Sequence, residues 1–544
     1  MKLASEVSAD KLRGGFYSPA GLVQVCLERV SALVTDTDAL RVLEPSAGDG
    51  AFLRGIAGHP LRERVGDVVA VEILEPEAAA CRDSGAALGE SLHVHHGSFL
   101  DDYVPLAPAF DVVVGNPPFV RFQFVDADER RKAEAVATQL GVTLKGVSNL
   151  WIPILLKAIS CLRTGGVFAF ILPAEFLTGI SASMVRDWLL THTTELQIDL
   201  FPPNSFPGVL QEVVVLSGRR LDASAETASL TVFDHSGERP AWSHPVRPGA
   251  PTWTNFLLTP AQADAYTGAS QLPGCIGLGN AVRFSVATVT GANDFFSVDE
   301  ATVERYELAP WARPLLPRIR NAPGLVFTQE DHDLIRSGGS KGHLLDFSGT
   351  APDPMAASGP TDYLGLGEQD LLHERYKCRI RSPWYRVPVV APAELMLSKR
   401  SHLFPRVVLN TVSAITTDTI YQGRLTAAYA QRGRAVAASF HNSLTILSAE
   451  IEGRSFGGGV LELVPSEVAR LRIFVADELA EELDRLDGIS RSTDPDKDSL
   501  LVEETDRRLA KVVDGLDDSV LATLADARRT LLQRRLDRNR SVAI

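Results

Sequence analysis

Between Val42 and Val215 short apolar runs alternate with amphipathic stretches. The runs at 41–44, 68–72, 111–114, 167–172 and 212–216 are rich in Val, Leu, Ile and Phe. They lack clean polar alternation, as strands covered on both faces do. Residues 148–161 and 182–190 have apolar positions at helical spacing. Strands that alternate with helices predict an α/β architecture built on a largely parallel sheet.

The alternation stops near 237–251, where Pro, Gly, Ser and His accumulate, a composition that predicts a domain boundary. From there to about Ile473 the chain is irregular, with short strands and many Pro and Gly. An acidic helical stretch at 477–518 and a basic one at 528–540 follow. The expected division is therefore 1–240, 241–475 and a helical segment 476–544. A chain of 544 residues is long for one hydrophobic core, which also predicts two or three domains.

Composition narrows the class. Apolar residues at 45% and charged residues at 22% suit a globular protein. No apolar run approaches the roughly 20 residues that span a bilayer, and the acid-containing start lacks a secretory core, so no membrane association is expected. The five cysteines (Cys26, Cys81, Cys161, Cys275, Cys378) are scattered without metal-ligand spacing. They read as reduced thiols of a cytoplasmic protein without a metal. A net charge of −14 argues against a surface that is basic throughout, but leaves room for a local cationic face.

Two motifs carry chemistry. In 42–53 a strand leads through a small-residue turn, Pro45-Ser46-Ala47-Gly48-Asp49-Gly50, into a helix start. Glycines at 48 and 50 let backbone approach a ligand closely, and the helix presents free N–H groups. Glu72 closes the next strand, where a carboxylate can accept both ribose hydroxyls; turn and carboxylate together point to an adenosine-type cofactor. In the second motif, Asn116-Pro117-Pro118-Phe119 follows the strand at 111–114. Such a tetrapeptide arises by chance in roughly one chain per few hundred of this length. It stands where ligands bind in open α/β sheets, beyond the carboxyl ends of the strands.

Residues 42–53, Glu72 and Asn116 to Phe119 together resemble the gamma-class (TaqI-methylase-like) adenine-N6 DNA methyltransferases of restriction–modification systems. Gly14 to Pro19 resembles that family's N-terminal cofactor motif, and Ser205 to Gly208 its second aromatic motif. The resemblance covers residues 1–220, and more loosely His441 to Ser443 and Gly453 to Gly459. It implies a Rossmann-like class I methyltransferase sheet with a C-terminal mixed α+β target-recognition domain. The implied cofactor is S-adenosylmethionine, held by Ser18, Glu44, Ser46, Gly48, Glu72, Ile73, Ser98, Phe99 and Pro118. Where the family commonly has Asp-Phe, this chain has Ser98-Phe99; a hydroxyl is a weaker acceptor for the cofactor's amino group than a carboxylate, and Asp101 or Asp102 stands nearby.

The resemblance further implies that Asn116 and the Pro117 carbonyl accept the hydrogens of adenine N6. The base would be flipped out of the duplex, stacked on Phe119 and flanked by Phe206. Residues 375–386 hold five basic side chains and no acidic one, interleaved with aromatics. Arg375, Lys377, Arg379, Arg381 and Arg386 therefore read as contacts to double-stranded DNA, with Arg313, Arg318, Arg320, Lys399, Arg400 and Arg406 in the same region. The expected partner, where there is one, is a separately encoded restriction endonuclease. The alternatives are a protein-glutamine or RNA methyltransferase, or a non-catalytic DNA-specificity subunit.

Overall fold

Valine-rich strands build the centre of the first unit. In the computed structural model residues 18–537 are described, apart from 36–38, 102–106, 145–147, 180–181, 203–204, 206–211, 222–227, 238, 349–351 and 457. The strands β1 (Leu40–Glu44), β2 (Val65–Glu72), β3 (Leu92–His96), β4 (Phe110–Gly115), β5 (Leu162–Pro173), β6 (Thr193–Leu200), β7 (Val213–Arg220), β8 (Ala228–Asp234) and β9 (Trp242–Val246) form one sheet. Its order is β3-β2-β1-β4-β5-β7-β6-β8-β9. β3, β2, β1, β4 and β5 run parallel, while β7 inserts antiparallel between β5 and β6.

This is the expected doubly wound α/β sheet. Helix α1 (Ala20–Leu33) packs Leu22, Cys26, Leu27 and Val30 into the core that also buries Val42, Val68, Val112 and Val114. On α5 (Trp151–Ser160) every residue but Ser160 is buried, and Pro153 sits in the first turn, where its missing donor costs nothing. The turn between β1 and α2 (Ala51–Gly58) is stitched to β2 by Ala47 N–H donating to the Val71 carbonyl at 2.9 Å. After β2 the chain forms α3 (Glu75–Ser84), and after β4 it forms α4 (Ala127–Gln139).

The chain divides at Pro260, with Ala261–Leu536 forming the second unit. The boundary expected at 240 therefore lies too early. β9 pairs with β8, the Trp242 indole donates to the Phe256 carbonyl, and Trp253 N–H donates to the Leu177 carbonyl. These bonds keep 241–258 with the first sheet despite its loop-like composition.

The second unit is mixed α+β. A five-stranded sheet runs Val282–Ser285, Ile420–Leu425, Leu395–Ser398, Val407–Asn410 and Val326–Phe327 in spatial order. The helices Leu479–Arg491 and Lys497–Leu509 belong to this unit and not to a separate third domain. Their tether is polar as well as apolar. Asp487 accepts from the Leu325 and Val326 amides at 2.6 and 2.9 Å. Arg491 clasps Asp331 through two contacts of 2.7 Å, and buried Asp506 accepts from Ser443 N–H and its hydroxyl. The basic stretch is helix Asp518–Asp537, whose buried Arg535 pairs with buried Glu450 at 2.6 Å. Among the described residues no helix is long and apolar enough to cross a membrane.

Candidate functional site

Parallel register places the carboxyl ends of β1, β2 and β4 along one edge of the sheet. The chain leaves β1 for β2 on one side, while β4 lies on the other. Such a reversal of strand order opens a crevice in doubly wound sheets. Glu44, Ser46, Glu72 and Asn116 all stand at this edge.

The loop after β4 is held from several directions. The Asn116 side-chain amide donates to the Ser18 hydroxyl at 3.1 Å, and the Ser46 hydroxyl donates to the Asn116 carbonyl at 3.3 Å. Pro117 is buried, while Pro118 and Phe119 are half-buried, with Phe119 packed against the core of the sheet. Beyond it Leu150 N–H donates to the Val120 carbonyl and Phe122 N–H to the Ser148 carbonyl. With its amide nitrogen committed to Ser18, the Asn116 side-chain oxygen remains an acceptor without a partner among the described residues. Phe206 lies outside the described residues.

The glycine-rich turn has two different glycines. Gly48 has φ +53°, and among the described residues nothing lies within 4 Å of where its Cβ would stand, so the space beside it is open there. Gly50, with φ +81°, would push a Cβ to 2.7 Å from that of Ser84 and 3.2 Å from the Cα of Cys81. Its glycine serves close packing against α3 and not ligand access, a distinction that spacing alone does not make.

The carboxylates flanking this turn differ in role. Glu72 accepts from Gly48 N–H and Leu74 N–H, both at 2.9 Å, which fixes its orientation and leaves lone pairs for other donors. Ile73 beside it is exposed. Glu44 is buried, and its Oε2 has no hydrogen-bond partner among the described residues. Burial, then the nearby Glu72 and Asp49 carboxylates, pushes the Glu44 carboxyl well above its usual range, against the pull of Arg54. Folded protein then keeps a proton that the unfolded chain has lost. The stability contributed by protonated Glu44 is present below the ordinary value of 4.5 and declines as pH rises toward the raised value. Glu44→Gln removes that decline. Thermal unfolding should show the variant gaining on the parent as pH rises above the ordinary carboxylate value of 4.5, and an unchanged difference would refute this.

Ser98 is buried, with Phe99 beside it. The buried Lys157 ammonium donates to the Phe99 and Asp101 carbonyls at 2.7 and 2.8 Å and lies 5.0 Å from the Phe99 ring centroid. The neighbouring carboxylate expected to compensate for Ser98 is otherwise engaged: Asp101 binds Lys132 at 2.6 Å, and Asp102 lies outside the described residues.

The residues present fit an S-adenosylmethionine-like group. An open approach at Gly48, an oriented carboxylate at Glu72 and an unpartnered buried acid oxygen at Glu44 meet at one edge.

In the second unit Arg375, Lys377, Arg379 and Arg386 are exposed. Lys377 and Arg379 each lie 5.6 Å from the centroid of the exposed Tyr376 ring. Arg381 differs from them: its guanidinium donates to the Val289 and Thr290 carbonyls at 2.9 and 2.7 Å, so it staples two loops. Arg406 is likewise spent internally, on the Ala322 and Gly324 carbonyls, and Arg400 pairs with Glu462. Charge counting in a sequence does not distinguish these from free cations.

The chain is similar to several known proteins. The family described as Eco57I restriction-modification methylase matches residues 95–206, and that described as Type II methyltransferase M.Eco57I, C-terminal domain, matches 250–509. Type II methyltransferase M.AccI of Acinetobacter calcoaceticus is 23% identical over 376 residues, covering 66% of each chain. M.XamI of Xanthomonas campestris pv. amaranthicola is 23% identical over 487 residues, covering 85% of each. The fold is also that of the type IIL restriction-modification enzyme MmeI, solved in complex with DNA. The TM-score is 0.51 at 14% identity, over 96% of this chain and 76% of that one. The two family matches together span more than half of the sequence, and the chain belongs to the Eco57I-type family of type II restriction–modification methyltransferases.

Proposed function

We propose that this chain transfers a methyl group from S-adenosylmethionine to N6 of adenine in double-stranded DNA, as the modification enzyme of a restriction–modification system with a separately encoded endonuclease. The observation that carries the reading is Asn116, an acceptor at the carboxyl end of β4 whose amide nitrogen is already tied to Ser18. The adenine amino nitrogen is a poor nucleophile because its lone pair is delocalised into the ring. The Asn116 side-chain oxygen and the Pro117 carbonyl each accept one N6 hydrogen, which draws the nitrogen toward a tetrahedral geometry and aims its lone pair. The contribution is orientation and placement of acceptors where positive charge develops.

When bound, S-adenosylmethionine supplies an electrophilic sulfonium methyl. Glu72 accepts the ribose hydroxyls, Gly48 admits the ligand against backbone, and Ile73, Phe99 and Pro118 offer apolar surface. The target base leaves the stack to reach the pocket. Phe119, with Phe206, stacks on it, at about 1–3 kcal/mol per base. In this reading 1–260 is the catalytic domain and 261–536 the target-recognition domain. Arg375, Lys377, Arg379 and Arg386 contact phosphates, and exposed cations of this kind favour a nucleic acid over a glutamine side chain as substrate.

The test is transfer of labelled methyl groups to unmethylated bacterial DNA, followed by nucleoside analysis. N6-methyldeoxyadenosine is the expected product. N4-methyldeoxycytidine, or label found only in RNA or protein, would replace the adenine assignment.

A further inference from the structure

One acid at the sheet edge has no part in the chemistry above. Glu129 lies in the first turn of α4, with its side chain 15% exposed. Its Oε1 accepts a hydrogen bond of 2.5 Å from the Ser98 hydroxyl, across 31 residues of sequence. Ser98 Oγ in turn accepts from Leu100 N–H at 3.1 Å. The preceding residue, Gly97, donates its N–H to the carbonyl of Glu72 at 2.9 Å. The Ser98–Glu129 pair thus stands next to the strand end that carries the ribose-binding carboxylate, where the chain turns back from β3 toward β4.

The chemistry of this pair is one-sided. The single Ser98 hydrogen is committed to Glu129, and an ionised carboxylate is acceptor only. Together they offer acceptors and no donor. That matches the 6-amino group of an adenine, which has two N–H donors. Docking of α4 does not require Glu129, because Lys132 already ties this helix to Asp101 at 2.6 Å. Lys132 also lies 3.8 Å from Glu129 Oε2.

We infer that Glu129, oriented by the Ser98 hydroxyl, is the acceptor that reads the 6-amino group of the cofactor's adenine. The inference rests on the cofactor reading above and supplies the carboxylate that position 98 lacks. It also links two functions through one segment, since the loop carrying Asn116 to Phe119 continues through the short 3-10 turn Phe122–Phe124 into α4.

Equilibrium binding of the full chain to S-adenosylhomocysteine, and to its analogue with hydrogen in place of the 6-amino group, tests this. The parent should prefer the adenosyl compound by about tenfold or more, as a hydrogen bond to a charged acceptor gives. Glu129→Ala should reduce that preference to within about twofold, through loss of affinity for the adenosyl compound alone. Equal loss for both compounds would mean a purely structural role, and an unchanged preference would mean no contact; either overturns the inference. If alanine disturbs α4, the isosteric Glu129→Gln serves. Its single neutral acceptor should cut the preference by about threefold or more, and an intact preference overturns the inference again. Failure of the parent to bind either compound would instead defeat the cofactor reading, and this inference with it.

Discussion

Asn116→Ala is expected to slow methyl transfer to DNA by about 10²–10³-fold, the usual cost of removing one preorganised polar group from the reacting centre. Cofactor affinity should stay within about twofold of the parent, because Asn116 acts on the target nitrogen and not on the donor. Two losses combine in this variant. The side-chain oxygen that accepts an N6 hydrogen disappears, and so does the amide that holds Ser18 at 3.1 Å. Single-turnover rates at saturating cofactor, together with direct cofactor binding, separate these effects. A Ser18→Ala variant that is nearly as slow would assign much of the loss to positioning of Asn116. An Asn116→Ala enzyme that keeps its rate would refute the assignment of N6 orientation to this side chain.

The second large effect is expected at Glu72. Glu72→Ala should weaken S-adenosylmethionine binding by about 10²-fold, since two charge-assisted hydrogen bonds to ribose are lost together. The change also strands the Gly48 and Leu74 amides, which both donate to this carboxylate at 2.9 Å, so the turn itself loosens. The measured loss thus combines direct contact with turn order. Glu72→Gln separates them in part, because an amide retains one acceptor oxygen but adds a donor pair. Calorimetric titration gives the affinity. The rate at saturating cofactor should fall far less than the affinity, and the reverse pattern would move Glu72 from binding to chemistry.

Some of this architecture is local and therefore legible in sequence. The strands at 41–44, 68–72, 111–114, 167–172 and 212–216 correspond to β1, β2, β4, β5 and β7, because doubly covered strands must be apolar along their whole length. β3 reads Leu-His-Val-His-His and β9 Trp-Ser-His-Pro-Val, and neither has that signature. Both are edge strands of the sheet with one neighbour each; the histidines of β3 face solvent, whereas in β9 Ser243 is exposed and His244 is buried against the Leu258 carbonyl. β6 and β8, with polar residues such as Thr194, Glu195, Ser229 and Thr231, gave no comparably apolar run. The domain boundary moved to Pro260 for a related reason: besides the local β8–β9 pairing, the segment is held by bonds far apart in sequence, Trp253 N–H to the Leu177 carbonyl and the Arg186 guanidinium to the Pro251 carbonyl.

By itself the sequence determined which residues end the central strands, and a strand end on a parallel sheet is where a ligand crevice forms. That locates Glu72 and Asn116 without coordinates, since β periodicity and the backbone rules for Gly and Pro act over a few residues. Only the tertiary structure decided what each polar group is spent on. It couples Asn116 to Ser18 across 98 positions and Ser98 to Glu129 across 31, commits Arg381 and Arg406 to backbone carbonyls, and turns Gly50 toward α3. Hydrogen bonding depends on distance in space, and composition and spacing record only distance along the chain.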